Sequence, residues 1–294
     1  MDTRPTVTPE MIRLYDDYTH VSLDRRRFMA SLSQLAGGSA AAAALVPLLA
    51  ANAAAADQIA PDDPRLTAET VRWQGGDGPM QGYLVRPAGI ADRLPGVLVL
   101  HENRGLNAHI RDVTRRVALE GFMALAPDLL APAGGTPADE DAARAMIQAI
   151  QPEALTRNLR SSVAYLLARP DFTRGIGVVG FCWGGGAALQ LAVAEPALTA
   201  AVSYYGMQPP ASDVPRIKAQ LLLQYAGLDE RINAGIPAFQ AALDAAGTRY
   251  QIFVYEGANH AFNNDTSAAR YDPAAARLAW DRTIAFLHQA LGGA

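Results

Sequence analysis

Ile176-Gly177-Val178-Val179-Gly180-Phe181-Cys182-Trp183-Gly184-Gly185 is an apolar run that ends in a glycine-flanked cysteine. Directly beyond it, Ala187, Ala188, Leu189, Leu191 and Ala192 fall in a helical pattern. A strand, a tight Gly-x-Cys-x-Gly turn and a helix make a nucleophile elbow, with cysteine where serine is usual. The spacing has a steric origin. Residues two before and two after the nucleophile must lack bulk, and Gly180 and Gly184 fill both places. Cys182 is therefore expected at the top of a parallel sheet, at a helix N-terminus whose partial positive charge favours a thiolate and a developing oxyanion.

Working outward, strands alternate with helices. Thr67–Trp73 and Met80–Val85 read as a hairpin across Gly75-Gly76-Asp77-Gly78, and Pro95–Leu100 as a short buried strand. A helix over about 109–120 stops at Gly121, and Phe122–Ala126 is the next strand. Helices follow over about 138–149 and 153–168. Beyond the elbow come strands Ala200–Tyr204, Gln220–Tyr225 and Tyr250–Tyr255, and helices Pro237–Ala246 and Pro273–Leu291. The pattern implies an α/β fold, a mostly parallel sheet with helices on both faces, in one domain over residues 57–294.

Composition narrows the function classes. Half of the 294 residues are hydrophobic, enough for a large core, and the formal charge of −4 comes without a Lys/Arg block in the globular part, so no nucleic-acid partner is expected. The single cysteine rules out an internal disulfide and any multi-cysteine metal site, and neither metal nor cofactor is expected.

Residues 1–56 differ in composition from the rest. Asp24-Arg25-Arg26-Arg27-Phe28-Met29 resembles a twin-arginine export signal, and an Ala-rich stretch follows to Ala56. The expectation is a leader that engages the twin-arginine machinery, with a periplasmic or secreted mature domain that is not inserted in a membrane. A retained anchoring helix, or a cytoplasmic protein that keeps the segment, is the alternative. Tyr15, Asp16, Asp17 and Tyr18 before the arginines are unusual for a leader.

Catalytic residues in such folds gather beyond the C-terminal ends of the strands. Two loops there carry chemistry besides the elbow: Gly227-Leu228-Asp229-Glu230-Arg231 and Gly257-Ala258-Asn259-His260-Ala261-Phe262. The order nucleophile, acid, histidine (182, 229, 260) is that of α/β-hydrolases. In these roles His260 takes the thiol proton and returns it to the leaving group, and Asp229 orients His260. Elimination favours His260: His20 falls in the leader segment, His288 in the terminal helix and His109 on an expected surface, leaving His101 as the competitor. The backbone N–H groups of Trp183 and Asn103 are the expected oxyanion donors.

Together, Gly180-Phe181-Cys182-Trp183-Gly184-Gly185, the Asp229 loop, Asn259-His260-Ala261-Phe262 and His101-Glu102 resemble the dienelactone hydrolase family over roughly residues 65–290. The resemblance implies an α/β-hydrolase with a Cys-His-Asp triad that hydrolyses small esters or lactones without a cofactor. It also implies that Glu102 contacts the resting cysteine and helps to activate it. The family's substrate-holding arginines are missing from Pro127-Asp128-Leu129-Leu130 and from His260-Ala261-Phe262-Asn263-Asn264, and Arg104 and Arg231 are the remaining candidates. Alternatives to an enzyme are a ligand-binding protein on the same fold and a thiol redox sensor, for which a second, resolving cysteine is lacking.

Overall fold

A computed structural model describes residues 6–21, 24–50 and 58–292. The strands are β1 (Leu66–Gln74), β2 (Pro79–Pro87), β3 (Leu94–Leu100), β4 (Met123–Asp128), β5 (Phe172–Phe181), β6 (Ala200–Tyr204), β7 (Gln220–Ala226) and β8 (Tyr250–Tyr255). They form one sheet in the order β1-β2-β4-β3-β5-β6-β7-β8. Only the β1–β2 and β2–β4 pairings are antiparallel. The expected mostly parallel sheet is present, with the hairpin at one edge.

Period-two alternation divides the core. Leu98 and Leu100 of β3 point to one face, against Leu159 and Val163 of α6 (Pro152–Leu167), Leu189 of α7 (Trp183–Ala194) and Leu243 of α9 (Ile236–Ala246). Val97 and Val99 point to the other, against Val113 and Val117 of α4 (Ala108–Leu119) and Leu287 of α10 (Pro273–Leu291). The connection after β4 carries α5 (Glu140–Gln148), and α8 (Glu230–Asn233) follows β7. All seven residues of β3 are buried, which explains why its sequence is an unbroken apolar run.

The N-terminal segment is folded as well. Helices α1 (Pro9–His20), α2 (Arg25–Ala36) and α3 (Ser39–Leu49) enclose a small core of their own. Phe28, which follows the arginines, is its centre, stacked on Tyr18 at 4.5 Å between ring centroids. Thr8 and Asp24 cap the first two helices with their side chains, and Gly37 ends α2 in the left-handed region. No single described helix is long and apolar enough to cross a membrane; α2 and α3 would pass together but are bent by 109°.

The elbow joins β5 to α7 at Cys182, whose φ is 55°. A Cβ on Gly180 would lie 1.9 Å from the Gly184 carbonyl oxygen, and one on Gly184 would lie 2.4 Å from that of His101. Gly184→Ala should therefore push α7 from β3 and destabilise the fold by roughly 1–3 kcal/mol. A urea midpoint equal to wild type would show that the crossing has slack.

Candidate functional site

Cys182 sits at the N-terminal end of α7 with its N–H bonded to the Tyr204 carbonyl at 3.0 Å, and it is buried. The loop after β7 places Asp229 so that one carboxylate oxygen accepts the Ile232 N–H at 3.2 Å, while the other meets His260 Nδ1 at 2.5 Å. A carboxylate only accepts from this ring, so Nδ1 carries the hydrogen and Nε2 is directed to the chemistry. His260 Nε2 has no hydrogen-bond partner among the described residues, and a ring nitrogen of His260 lies within 4.8 Å of Cys182 Sγ. The structure thus brings together Cys182, His260 and Asp229, far apart in the chain.

The electrostatics follow. Burial opposes the charge on His260, but the neighbouring Cys182 sulfur, as thiolate, and the Asp229 carboxylate outweigh it and raise its pKa to about 10. Burial would likewise raise the Asp229 carboxyl, yet its bond to His260 holds it below the ordinary value.

His101 is not a rival to His260. It is fully buried, its Nδ1 donates to the Glu102 carbonyl at 2.7 Å, and its Nε2 accepts the Leu129 N–H. Both ring nitrogens are committed to holding the loop after β3. His109, expected at the surface, is instead buried against Asp265 at 3.2 Å.

Glu102 lies beside the nucleophile, lining a small cleft with Cys182 and His260. Its carboxylate accepts from Asn264 Nδ2 at 2.7 Å, and among the described residues it is not the hydrogen-bond partner of the sulfur. That partner is His20, whose Nε2 stands 3.0 Å from Cys182 Sγ. Setting His20 aside because it falls in the leader segment is therefore corrected here. The segment does not stay away from the domain: α1 docks beside the elbow, with His20 against Cys182. Tyr15, Asp16 and Tyr18, odd in a leader, were the visible signal, since each now binds the domain.

Trp183 is the first residue of α7 and Asn103 lies in the loop after β3, and both line one cavity with Cys182. This cavity, of about 1020 Å³, is walled by Ile147, Leu155, Met207 and the end of α1. Arg231 lines it too, whereas Arg104 is buried and held by Tyr15 and by Glu140 at 3.2 Å. Among the described residues, Cys182, Phe262-flanking Ala261 and Tyr205 are the non-glycine positions with positive φ, and all three border this site. Such backbone costs of order 1–3 kcal/mol each and concentrates at functional sites. One donor atom from each of His20, Cys182 and His260 lies within 4.8 Å of the others.

Residues 80–291 match the dienelactone hydrolase family. An Escherichia coli O157:H7 protein provisionally named carboxymethylenebutenolidase is 31% identical over 244 residues, covering 78% of this chain and 89% of its own length. A fragment from Escherichia coli K12, provisionally named hydrolase YghX, is 46% identical over 113 residues, 38% of this chain and 97% of the fragment. Among solved structures, a provisionally named dienelactone hydrolase from Klebsiella pneumoniae superposes with a TM-score of 0.70 at 30% identity, over 76% of this chain and 99% of that one.

The His260–Asp229 pair makes stability pH-dependent. The His260 contribution is full below its ordinary value of 6.5 and is lost as pH rises through about 10. The Asp229 contribution is present above the ordinary 3.8 and is lost as pH falls through its lowered value. Asp229→Asn should therefore cost most stability between roughly pH 4 and 6.5, with the gap narrowing toward pH 10. Urea midpoints of both proteins at pH 5.5 and 9.5 measure this, and equal gaps would contradict the coupling.

Proposed function

The chain belongs to the dienelactone hydrolase family, and on that premise we propose that it hydrolyses ester or lactone bonds of small molecules through a Cys182-His260-Asp229 triad. The carrying observation is the Asp229–His260 bond of 2.5 Å, in a ring that has a nitrogen within 4.8 Å of the elbow cysteine. His260 takes the proton from Sγ, and the thiolate adds to the acyl carbon. The new C–S bond forms while the carbonyl π pair moves onto oxygen. The N–H groups of Trp183 and Asn103 receive that oxyanion. The C–O bond to the leaving group then breaks, and the alkoxide takes the proton from His260. Water repeats the sequence on the thioester, giving up a proton to His260 and releasing the carboxylic acid and the thiol.

In this reading Asp229 fixes the His260 tautomer and Glu102 acts as a carboxylate beside the sulfur that disfavours a standing thiolate. No cofactor enters these steps. The apolar side chains in the cavity wall suit an uncharged acyl body; of the arginines lining it, Arg144, Arg157 and Arg216 pair with Asp141, Asp77 and Asp213, and Arg231 is the candidate to meet an anionic substituent.

Cys182→Ala should abolish hydrolysis across a panel of p-nitrophenyl esters and neutral and carboxylate-bearing lactones. His260→Ala should lower kcat/KM by about 10²–10⁴, and Glu102→Gln should change kcat by a smaller factor. Steady-state assays of the full chain measure all three. Turnover of every substrate by Cys182→Ala would refute the nucleophile, and no turnover by wild type would favour a binding protein.

We also propose that Arg25 and Arg26 form a twin-arginine export signal. Support comes from the Arg-Arg-x-Phe-Met order and from the exposure of both side chains. That route carries folded protein, so docked helices are no obstacle. Replacing both by Lys keeps the charge that Arg25 presents to Asp141 and should leave the protein in the cytoplasm, as fractionation would show. Export of the double variant at the wild-type level would remove the proposal.

A further inference from the structure

We propose that His20, while the N-terminal helices remain on the chain, is a positioning residue of the active site that holds resting Cys182 as a thiol by accepting its S–H hydrogen bond. The inference rests on Cys182 being the nucleophile, and nothing in the family chemistry above uses His20.

The tautomer carries the argument. His20 Nδ1 lies 3.0 Å from the Asp16 carbonyl and 2.8 Å from Thr19 Oγ1. A carbonyl oxygen only accepts, so Nδ1 holds the hydrogen. Thr19 Oγ1 sends its own hydrogen to the Tyr15 carbonyl at 2.9 Å and is left as an acceptor for Nδ1. Every contact is then satisfied with Nε2 bare. A bare Nε2 at 3.0 Å from Sγ makes an attractive contact only if sulfur carries a hydrogen. That hydrogen points at His20, which accounts for the empty Nε2 of His260 across the same sulfur.

The placement is built. Asn103 Nδ2 donates to the Thr19 carbonyl at 2.8 Å, and the buried Arg104 binds the Tyr15 hydroxyl. Arg270 Nη1 donates to Asp16 Oδ1 at 3.1 Å, and the Tyr18 hydroxyl donates to Asp141 at 2.8 Å. The loop that follows β3 therefore grips α1 directly beside His20, and the two imidazoles meet edge to face at 4.4 Å between centroids.

The surroundings divide the labour between the two rings. Burial, then the charges of His260, Arg231 and Arg270, press His20 well below the ordinary imidazole value, against the support of the Asp16 carbonyl. His260 is pushed the other way by the thiolate as it forms and by the Asp229 carboxylate. Facing the sulfur are also Glu102, whose carboxylate disfavours more negative charge there, Arg104, which favours it, and Tyr205, which burial keeps neutral. His20 is thus an acceptor too weak to keep the proton and His260 a base strong enough to take it, a separation that assigns the roles. Activation is a rotation of S–H from His20 to His260. The S–H bond breaks, the N–H bond forms on His260 Nε2, and the electron pair stays on sulfur.

The test is alkylation of Cys182 by iodoacetamide against pH in the full chain, comparing wild type, His20→Gln and His20→Leu. The two substitutions are similar in bulk, and only Gln offers an oxygen that can accept S–H. The midpoint of the Leu variant should move about one unit toward lower pH, with alkylation near pH 6 about tenfold faster. The Gln variant should return toward wild type. The high-pH plateau reports access to sulfur separately. Equal midpoints in all three proteins, with only the plateau changed, would overturn the proposal and make His20 a cover. Should the Leu variant not fold, His20→Ala takes its place against Gln under the same criterion. Alkylation reads the sulfur without an ester, so loss of the hydrolytic reading would leave a distinct result.

Discussion

The crossing of α7 over β3 and β5 at the elbow constrains everything else at this site. A side chain on Gly180 would meet the Gly184 carbonyl oxygen, and one on Gly184 would meet backbone oxygens of Leu100 and His101. Backbone packed this closely leaves Cys182 no room in an ordinary conformation, and its φ of 55° is the consequence. The sheet supplies the restoring force: β5 is paired on both sides and β3 is buried throughout. The reactive sulfur is thus held by main chain rather than by rotamer preference, which gives a geometry that side-chain motion cannot easily relax.

Around that fixed point the charges are arranged by burial and partner. Two imidazoles flank one sulfur, yet their environments differ. His260 has a carboxylate on its Nδ1, and His20 has a carbonyl. A thiolate and a carboxylate stabilise imidazolium at His260, whereas burial and the positive charges of His260, Arg231 and Arg270 oppose it at His20, so the two rings separate in basicity. Neutral Tyr205 and the Glu102 carboxylate complete the surroundings of the sulfur.

The N-terminal helices show how a composition-based boundary and a packing boundary can differ. Arg25 and Phe28 resemble part of an export-type motif in the sequence, while in the fold Phe28 packs in a small core and Arg25 pairs with Asp141. The two descriptions coexist because recognition of a linear signal and burial of an aromatic ring are separate events. What the docked arrangement adds is part of the wall of the cavity beside Cys182 and a second histidine at its sulfur.

Local chemistry was legible in the chain by itself. Alternating strand and helix patterns, the glycine spacing around Cys182 and the order 182, 229, 260 depend on short-range sterics and on topology, both of which leave periodic traces. The committed ring nitrogens of His101, the burial of His109, the bond of Glu102 to Asn264 and the diversion of Arg104 to Tyr15 left none. Each depends on which surfaces meet across 28 to 162 positions of chain, a choice made by the packing of whole helices. His20 is the clearest case. Its ring and Cys182 lie 162 residues apart, and only the docking of α1 on the loop after β3 brings them into contact.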